Sequence, residues 1–328
     1  MRVRIRPAGF TLIELIVATV IAGLVGATLV MTLRRQQRFY SSAAEMISVR
    51  AQLRDAADAL ASDIRSASVA RYGLAVMTDS ALELFSSVGT SVVCDPPSGR
   101  TVYLPPPTLA SKTVLTSLLA PPDTGDLAMI YVLPGADPDS ARWLEARISA
   151  FASRALSTSC PASTGFSSIA DAAAGRTGYA LTLASDPSIA IRKGAPVRFI
   201  RRARYSLYRS SDGNWYLGYR RCNALGPSIC GTIQPVSGPY LPYAKGVTSV
   251  GGLAFRYFTA DGAELFDASL SAYVARIDIV LRGETARAVA LTGDARTRYR
   301  DSAVVTISPR NRARCSALDS HVRGPGFG

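Results

Sequence analysis

The stretch AGFTLIELIVATV, residues 8–20, opens an apolar run that continues to residue 33 and contains one charged side chain, Glu14. As an α-helix, residues 10–33 would span about 36 Å at about 1.5 Å per residue, enough to cross a hydrocarbon core of about 30 Å. A carboxylate inside such a helix costs roughly 2.5–3.5 kcal/mol on insertion scales. The run therefore predicts a transmembrane helix in which Glu14 has a function.

Two ordinary explanations of this segment fit poorly. A secretory signal peptide has a shorter apolar run and a small-residue cleavage site, and it would not carry Glu14. A plain signal anchor fits the length but gives no reason for the carboxylate. If the chain were cut between Gly9 and Phe10, Glu14 would become the fifth residue, on the same helix face as the new α-amino group. The Glu14 carboxylate of one subunit could then neutralise the Phe10 amine of another.

The basic leader, Gly9 and the run Phe10-Thr11-Leu12-Ile13-Glu14 resemble the class III signal of type IV prepilins and pseudopilins. The resemblance implies cleavage between Gly9 and Phe10 by the prepilin peptidase, N-methylation of Phe10, and packing of the helix in a filament core. It also implies a single pass through the bacterial inner membrane, with the globular domain on the periplasmic side. Charge does not decide the orientation, because three arginines precede the span and three follow it.

A second helical segment follows the apolar run. Residues 34–70 contain no glycine or proline, and apolar residues recur at helical spacing, which predicts one helix to about residue 67. The apolar stripe is expected to pack on a globular domain, and a free coiled coil is the alternative. The stripe consists of Met46, Leu53, Ala57, Leu60 and Ile64. The expected polar face carries Arg50, Arg54, Asp55, Asp58, Asp63 and Arg65.

Short strands follow the helix. Alternating residues on both sides of Ser-Asp-Gly predict a hairpin over residues 202–222, and Asp261-Gly262 predicts a second over residues 253–266. Further strands are predicted in ALELFS (81–86), DLAMIYVL (126–133), ARIDIVLRG (275–283) and SAVVTISPR (302–310). The fold class is therefore α+β: a type IV pilin-like fold, with a long N-terminal helix, transmembrane in its first half, packed on a largely antiparallel sheet.

The predicted domains follow the same order. Residues 1–9 are the leader, 10–33 the transmembrane helix, 34–70 the amphipathic helix, 71–312 the β-rich globular domain and 313–328 a flexible tail. Two insertions are expected in the globular domain. Residues 95–122 are rich in proline, which predicts an extended loop without a central strand. Residues 162–178 are rich in Ser, Ala and Gly and are expected to form a mobile surface segment.

The order of segments over residues 196–312 resembles the J-type minor pseudopilins of type II secretion and is similar to the W-type minor pilins. This resemblance implies a minor subunit that initiates or caps a pseudopilus or pilus. Its partners would be other minor subunits, the major subunit, the prepilin peptidase and the inner membrane. A net charge of +13, or +10 without the three arginines of the leader, favours an acidic partner. The alternative function is therefore a tip adhesin or a DNA-binding minor pilin of a DNA-uptake system.

The sequence indicates no catalytic site, no metal site and no cofactor. The five cysteines contain no C-x-x-C pair and the single histidine is His321, so zinc-ligand spacing is missing. Asp123 and Asp126, and likewise Asp137 and Asp139, lack the spacing of a calcium loop and are interpreted as turn residues.

The remaining candidates are the cysteines and one basic region. In an oxidising compartment, Cys222–Cys230 is the first disulfide candidate and Cys94–Cys160 the second, which leaves one cysteine over. The basic and aromatic residues 198–221 could contact single-stranded nucleic acid, but strand packing is the preferred interpretation.

Overall fold

The computed structural model describes residues 11–135, 138–187, 189–244, 251–290 and 296–310. The predictions for Gly9, Phe10, Asp137, Cys315 and His321 lie outside the described residues. The chain divides into two compact units. The first contains the described residues up to Ala51 together with the described part of Glu284–Asp301. The second contains the described part of Gln52–Gly283 and the described residues from Ser302 onward.

The helix α1 (Leu12–Ser66) is 55 residues long. Its ends suit the helix dipole, since Glu14 lies in the first turn and Arg65 in the last. The helix ends one residue earlier than expected, because the backbone of Ala67 leaves it to form a bridge with Ser86. A short helix, α2 (Val69–Tyr72), then ends at Gly73, whose φ of 65° is a left-handed conformation that suits glycine.

The C-terminal part of α1 is amphipathic, as the sequence predicts. Leu53, Leu60 and Ile64 are buried, whereas Arg54 is exposed. The prediction for Asp63 is wrong, because this residue is half-buried and does not belong to the solvated face. Its Oδ2 accepts a hydrogen bond of 2.8 Å from the hydroxyl of Tyr205, a buried residue of the sheet. This end of the helix therefore packs on the sheet along a stripe wider than apolar spacing alone indicates.

The described residues contain seventeen strands after α2, with two further short α-helices, α3 (Leu156–Ser159) and α4 (Ile169–Ala173), between them. The strands are β1 (Leu74–Met77), β2 (Ala81–Val92), β3 (Asp95–Ser98), β4 (Thr101–Leu104), β5 (Ser117–Leu118), β6 (Leu127–Val132), β7 (Arg142–Ala155), β8 (Thr177–Leu183), β9 (Pro196–Arg209), β10 (Trp215–Cys222), β11 (Gln234–Tyr240), β12 (Leu253–Phe258), β13 (Glu264–Leu265), β14 (Arg276–Glu284), β15 (Val289–Ala290), β16 (Arg296–Thr297) and β17 (Arg300–Ile307).

Fifteen of these strands form one sheet, in the order β13-β12-β14-β11-β10-β9-β6-β7-β8-β4-β3, with β1, β2, β5 and β17 attached beside this path. The sheet is largely antiparallel, so the predicted α+β, pilin-like fold is confirmed. Both predicted hairpins form: β9 pairs with β10, and β12 pairs with β13. Strand β9 lies at the centre, since it also pairs with β2 and β6.

The two expected insertions contain regular structure that their composition does not indicate. The strand β4 lies between β3 and β8, so the expectation of no central strand over residues 95–122 is wrong. The sequence TVYL of β4 contains no proline. The prolines of this region lie before it, on the terminal strand β3, and after it, in the following loop, so β4 can pair on both sides. Residues 162–178 contain α4, which begins with a capping box between Ser168 and Asp171.

Candidate assembly site

The N-terminal half of α1 exposes apolar side chains around its whole circumference. Leu12 is 77% exposed, Leu24 64% and Met31 71%, and an added Cβ at Gly23 would meet nothing within 4 Å. Among the described residues, this is the one helix long and apolar enough to cross a membrane. Large apolar surfaces of this kind are unfavourable in water at roughly 25 cal/mol per Å². The surface therefore fits a single-pass membrane anchor and, equally, a helix that packs against other helices.

The hydroxyl groups of this half are satisfied within the helix itself. Thr19 donates to the carbonyl oxygen of Ile16 at 2.9 Å, and Thr28 donates to that of Val25 at 2.8 Å. Thr32 bonds back in the same way, to Thr28. In lipid an unsatisfied polar group costs several kcal/mol, so these bonds remove the penalty that the threonines would otherwise bring. Glu14 is then the charged group of the span that requires a separate explanation.

Glu14 forms a reciprocal capping box with Thr11 at the start of the helix. Its Oε2 accepts hydrogen bonds from the backbone N–H and from the hydroxyl of Thr11, both at 2.9 Å. The Thr11 hydroxyl oxygen in turn accepts from the backbone N–H of Glu14 at 3.3 Å. This role was not predicted from the sequence, although the pattern T-x-x-E before an apolar run indicates it. In a single chain, therefore, the partner of the Glu14 carboxylate is the uncharged Thr11, and the two residues cap the first turn of the helix.

The structure joins Cys94 to Cys160 and Cys222 to Cys230 by disulfides. Cys94 and Cys160 are fully buried in a small cluster with Leu156. Their separation of 66 residues closes a long loop that contains the whole of the first insertion, whereas Cys222 and Cys230 are 8 residues apart. Two disulfides of this kind suit an oxidising compartment.

Glu83 and the sulfurs of Cys222 and Cys230 lie close enough together to resemble a metal-ligand group within the described part of the chain. The two sulfurs are bonded to each other, however, and a disulfide does not supply thiolate ligands. The Glu83 Oε1 accepts hydrogen bonds from Arg202 at 2.5 Å and from the hydroxyl of Ser228 at 2.8 Å. Glu83 and Arg202 therefore form a buried ion pair beside the Cys222–Cys230 disulfide.

The acidic turn at Asp123 and Asp126 is neutralised by arginines. Arg201 bonds the Asp126 carboxylate with its Nη2 at 2.8 Å, and Arg221 reaches both Asp123 at 2.7 Å and Asp126 at 3.3 Å. The backbone N–H of Thr124 and then the guanidinium of Arg221 lower the pKa of Asp123 from its ordinary value. Because guanidinium groups occupy these carboxylates, the arrangement supports the interpretation as turn residues.

Several arginines of the basic and aromatic region likewise pack on aromatic rings or pair with carboxylates of the same domain. Arg198 lies over the ring of Trp143 at 4.9 Å, and Arg202 lies over Phe85 at 5.3 Å while it pairs with Glu83. Arg201 is buried in its pair with Asp126. These contacts support the strand-packing interpretation of residues 198–221, because the charges of Arg201 and Arg202 are compensated before any ligand binds.

A family model matches the N-terminal end of the chain: the prokaryotic N-terminal methylation motif, over residues 4–30. No curated protein and no solved structure matches the chain. The matched residues contain Gly9, Phe10 and Glu14 and end within the exposed half of α1.

Together, the matching motif, the apolar helix and the antiparallel sheet support a type IV prepilin-like protein. The motif supports a subunit of the pilin or pseudopilin type, processed by a prepilin peptidase and assembled with other pilin subunits. It indicates a structural subunit rather than an enzyme.

Proposed function

We propose that this protein is a minor pseudopilin or minor pilin, a structural subunit that initiates or caps a type II secretion pseudopilus or a type IV pilus. The observation that carries the proposal is Glu14: it is a carboxylate at the start of an exposed apolar helix, inside a matched N-terminal methylation motif. Such a charge is costly for a lone subunit in lipid and favourable when a neighbouring cation neutralises it. The order of segments over residues 196–312 supports the minor, J-type or W-type, assignment.

The proposed mechanism is assembly. The prepilin peptidase removes residues 1–9 by cleavage between Gly9 and Phe10, and the new amine of Phe10 is N-methylated. The amine of one subunit pairs with the Glu14 carboxylate of another, and residues 10–33 leave the inner membrane to fill the filament core. The amphipathic segment 34–70 and the globular domain 71–312 then lie on the periplasmic side. The partners are other minor subunits and the major subunit.

A second candidate function is a tip adhesin or a DNA-binding subunit of an uptake system, and the observation that favours it is the charge of +10 that remains after cleavage. Binding of this kind releases counterions, so its affinity should fall steeply with salt. Retention on single- or double-stranded DNA at low salt, lost at about 200 mM salt, would support the second candidate. A lack of binding at low salt would remove it.

The decisive experiment on the first candidate separates the charge of Glu14 from its capping role. Glu14→Gln retains an oxygen that can accept from Thr11, but it removes the charge. Breaking a buried ion pair costs about 3–5 kcal/mol, so we expect Glu14→Gln and Glu14→Ala both to lose incorporation into sheared filaments almost completely. The matched control is Thr28→Ala, which removes a polar group from the same helix and should assemble normally.

The outcomes are distinct. Normal incorporation of Glu14→Gln, with loss for Glu14→Ala, would mean that hydrogen bonding at the helix start is sufficient and that charge pairing is wrong. Normal incorporation of both variants would remove the assembly role of Glu14.

Maturation is tested separately at Gly9. A larger residue in Gly9→Leu should block the cut and retain the nine-residue leader, which intact-mass spectrometry detects. The wild-type mature chain should begin at Phe10 with one added methyl group. A wild-type protein that keeps its leader in a host with an active prepilin peptidase would contradict the proposal.

A further inference from the structure

A basic cavity lies at the end of the apolar span, within the first compact unit. It has a volume of about 730 Å³ and is lined by the arginines Arg34, Arg35, Arg38 and Arg296, with Met31 and Phe39 as apolar neighbours. The first three arginines follow the apolar run almost directly in sequence. Arg296 comes from a segment more than 250 residues later, so the fold, and not the local sequence, completes the cluster.

The short hairpin of β15 and β16 positions Arg296. Ala290 and Arg296 are paired across the hairpin, and Val289, which is buried, pairs with Thr297. This pairing holds the backbone of Arg296 in an extended conformation beside the helix segment that carries Arg34. The fourth guanidinium is thus supplied by an ordered element within the described part of the chain.

Among the described residues, the lining of the cavity contains four guanidinium groups and no carboxylate. Arg38 has an interaction partner of its own, so the charge available to a ligand is that of Arg34, Arg35 and Arg296. The nearby carboxylates of the described segment after residue 283 have other partners. Glu284 pairs with Arg298 at 2.6 Å and with Arg300 at 3.6 Å, and Asp301 pairs with Arg50 at 2.9 Å. Within the described part of the chain, Glu284 and Asp301 therefore do not neutralise Arg34, Arg35 or Arg296.

The position of the cavity selects the kind of anion. Met31 belongs to the apolar span, and Arg34 is the first charged residue after Glu14. If residues 10–33 cross the membrane, the cavity lies where the hydrocarbon core meets the headgroups, at about the length of one span from residue 10. Guanidinium groups bind phosphate oxygens in a bidentate manner, and apolar neighbours such as Met31 and Phe39 suit acyl chains.

We propose that this cavity binds the phosphate headgroup of an anionic phospholipid, with Arg34 and Arg296 as ligands from two distant segments. The inference rests on the membrane anchoring that belongs to the proposed function, but not on filament assembly. A lipid bound there would hold the hairpin of β15 and β16 at the membrane surface while the subunit waits in the bilayer.

The test uses the full chain reconstituted in nanodiscs of phosphatidylcholine with a minor fraction of phosphatidylglycerol, and native mass spectrometry counts the lipids that remain bound. A basic residue near an anionic surface contributes about fivefold in affinity. We therefore expect about fivefold less retained phosphatidylglycerol for Arg296→Gln and on the order of twentyfold less for Arg34→Gln/Arg296→Gln. Retained phosphatidylcholine should not change. The matched control is Arg287→Gln, an exposed arginine of the same segment that does not line the cavity.

Equal phosphatidylglycerol retention in the wild type, Arg296→Gln and Arg287→Gln would overturn the proposal. Equal losses in Arg296→Gln and Arg287→Gln would also overturn it, because they would indicate a general effect of charge. Complete displacement of phosphatidylglycerol by millimolar inorganic phosphate would identify a free-phosphate site instead. Circular dichroism of each variant shows whether it is folded, and Arg296→Lys, which keeps a charge, should retain more lipid than Arg296→Gln.

This assay is independent of the test of assembly. Loss of lipid with normal filament incorporation would support the lipid site alone. Normal assembly of Glu14→Gln with intact lipid binding would overturn only the charge-pairing account.

Discussion

The two ends of α1 use the same kinds of side chain in opposite ways. In the N-terminal half Leu24 is 64% exposed, whereas in the C-terminal half Leu60 is completely buried. The first half is apolar all round, and the second carries one apolar stripe and one charged face. A helix that is apolar on every side suits lipid or a bundle of helices, and an amphipathic helix suits one packed surface. The difference shows that α1 serves two environments without a break in its backbone.

The largest expected effect is a difference in unfolding free energy between the same substitution in the two halves of α1. Leu60→Ala should lower the unfolding free energy of the globular unit by about 2–5 kcal/mol, because it leaves a cavity in a buried site. Leu24→Ala makes the same chemical change at an exposed position and should have an effect near zero. Denaturant unfolding of the full chain in mild detergent, followed by tryptophan fluorescence, measures both variants. Equal destabilisation by the two variants would contradict the comparison.

Two of the helix's carboxylates, one in each half, show the same contrast. Glu14 bonds with Thr11 of its own helix, whereas Asp63 accepts from Tyr205 on β9. Tyr205→Phe removes the donor and leaves the Asp63 carboxylate without that bond, so we expect a loss of about 1–3 kcal/mol in unfolding free energy. The control Tyr208→Phe changes a less buried tyrosine of the same strand and should cost less.

Asp63 also predicts a dependence on pH. Burial raises the pKa of Asp63 above its ordinary value of 3.8, although the hydrogen bond from Tyr205 and the charge of Arg201 oppose the shift. The folded state then holds the proton more tightly than the unfolded state. The contribution of Asp63 to stability is therefore largest below pH 3.8 and falls as the pH rises through the folded-state pKa.

The measurement compares Asp63→Asn with the wild type across that range. The carboxamide can still accept from Tyr205, so the variant should become more stable relative to the wild type as the pH rises from about 3 to about 7. Lowered pKa values of Asp123 and Asp171 give the opposite slope in both proteins and cancel in the difference. A difference that does not change with pH would show that Asp63 is not desolvated.

The smallest expected effect concerns the helix start. Thr11→Ala removes the side chain that accepts from Glu14 and should cost about 1 kcal/mol at the first turn. Amide hydrogen exchange of residues 12–16 in detergent should rise about fivefold, the equivalent of that free energy. The matched control is Thr19→Ala, because the Thr19 hydroxyl bonds to the Ile16 carbonyl oxygen and takes no part in the capping box. Unchanged exchange in Thr11→Ala would show that the capping box does not hold the first turn.

The parts of the fold that depend on local patterns were predictable from the sequence. The apolar run, the stripe of Leu53, Leu60 and Ile64, and the hairpin of β9 and β10 all follow from spacing and turn chemistry within short segments. The capping box of Thr11 and Glu14 also has a local pattern, T-x-x-E. It overlaps the class III signal, in which the same glutamate has the position of a charge-pairing residue, and so one residue carries two roles.

Features that depend on tertiary contacts were not predictable in this way. The helical spacing places Asp63 on the polar face of α1, and its partial burial depends on the contact with Tyr205 of β9, which the local sequence does not indicate. Arg201 and Asp126 are 75 residues apart, and Arg296 is still farther from Arg34, so neither juxtaposition leaves a local pattern. The strand β4 was not predicted, because prolines lie close to it in the sequence on both sides and indicate a loop.

The hairpin of β9 and β10 has a practical consequence for work in living cells. Its strands are paired from Arg209 and Trp215 back to Arg202 and Cys222, and β9 is also held by two other strands. The tip, residues 211–213, is exposed and contributes no strand pairing. Because exposed loop tips tolerate inserted residues, a small peptide epitope or dye-acceptor tag placed after Asp212 should leave the domain intact. Such a tag would allow a single subunit to be followed by light microscopy from the membrane to its final location.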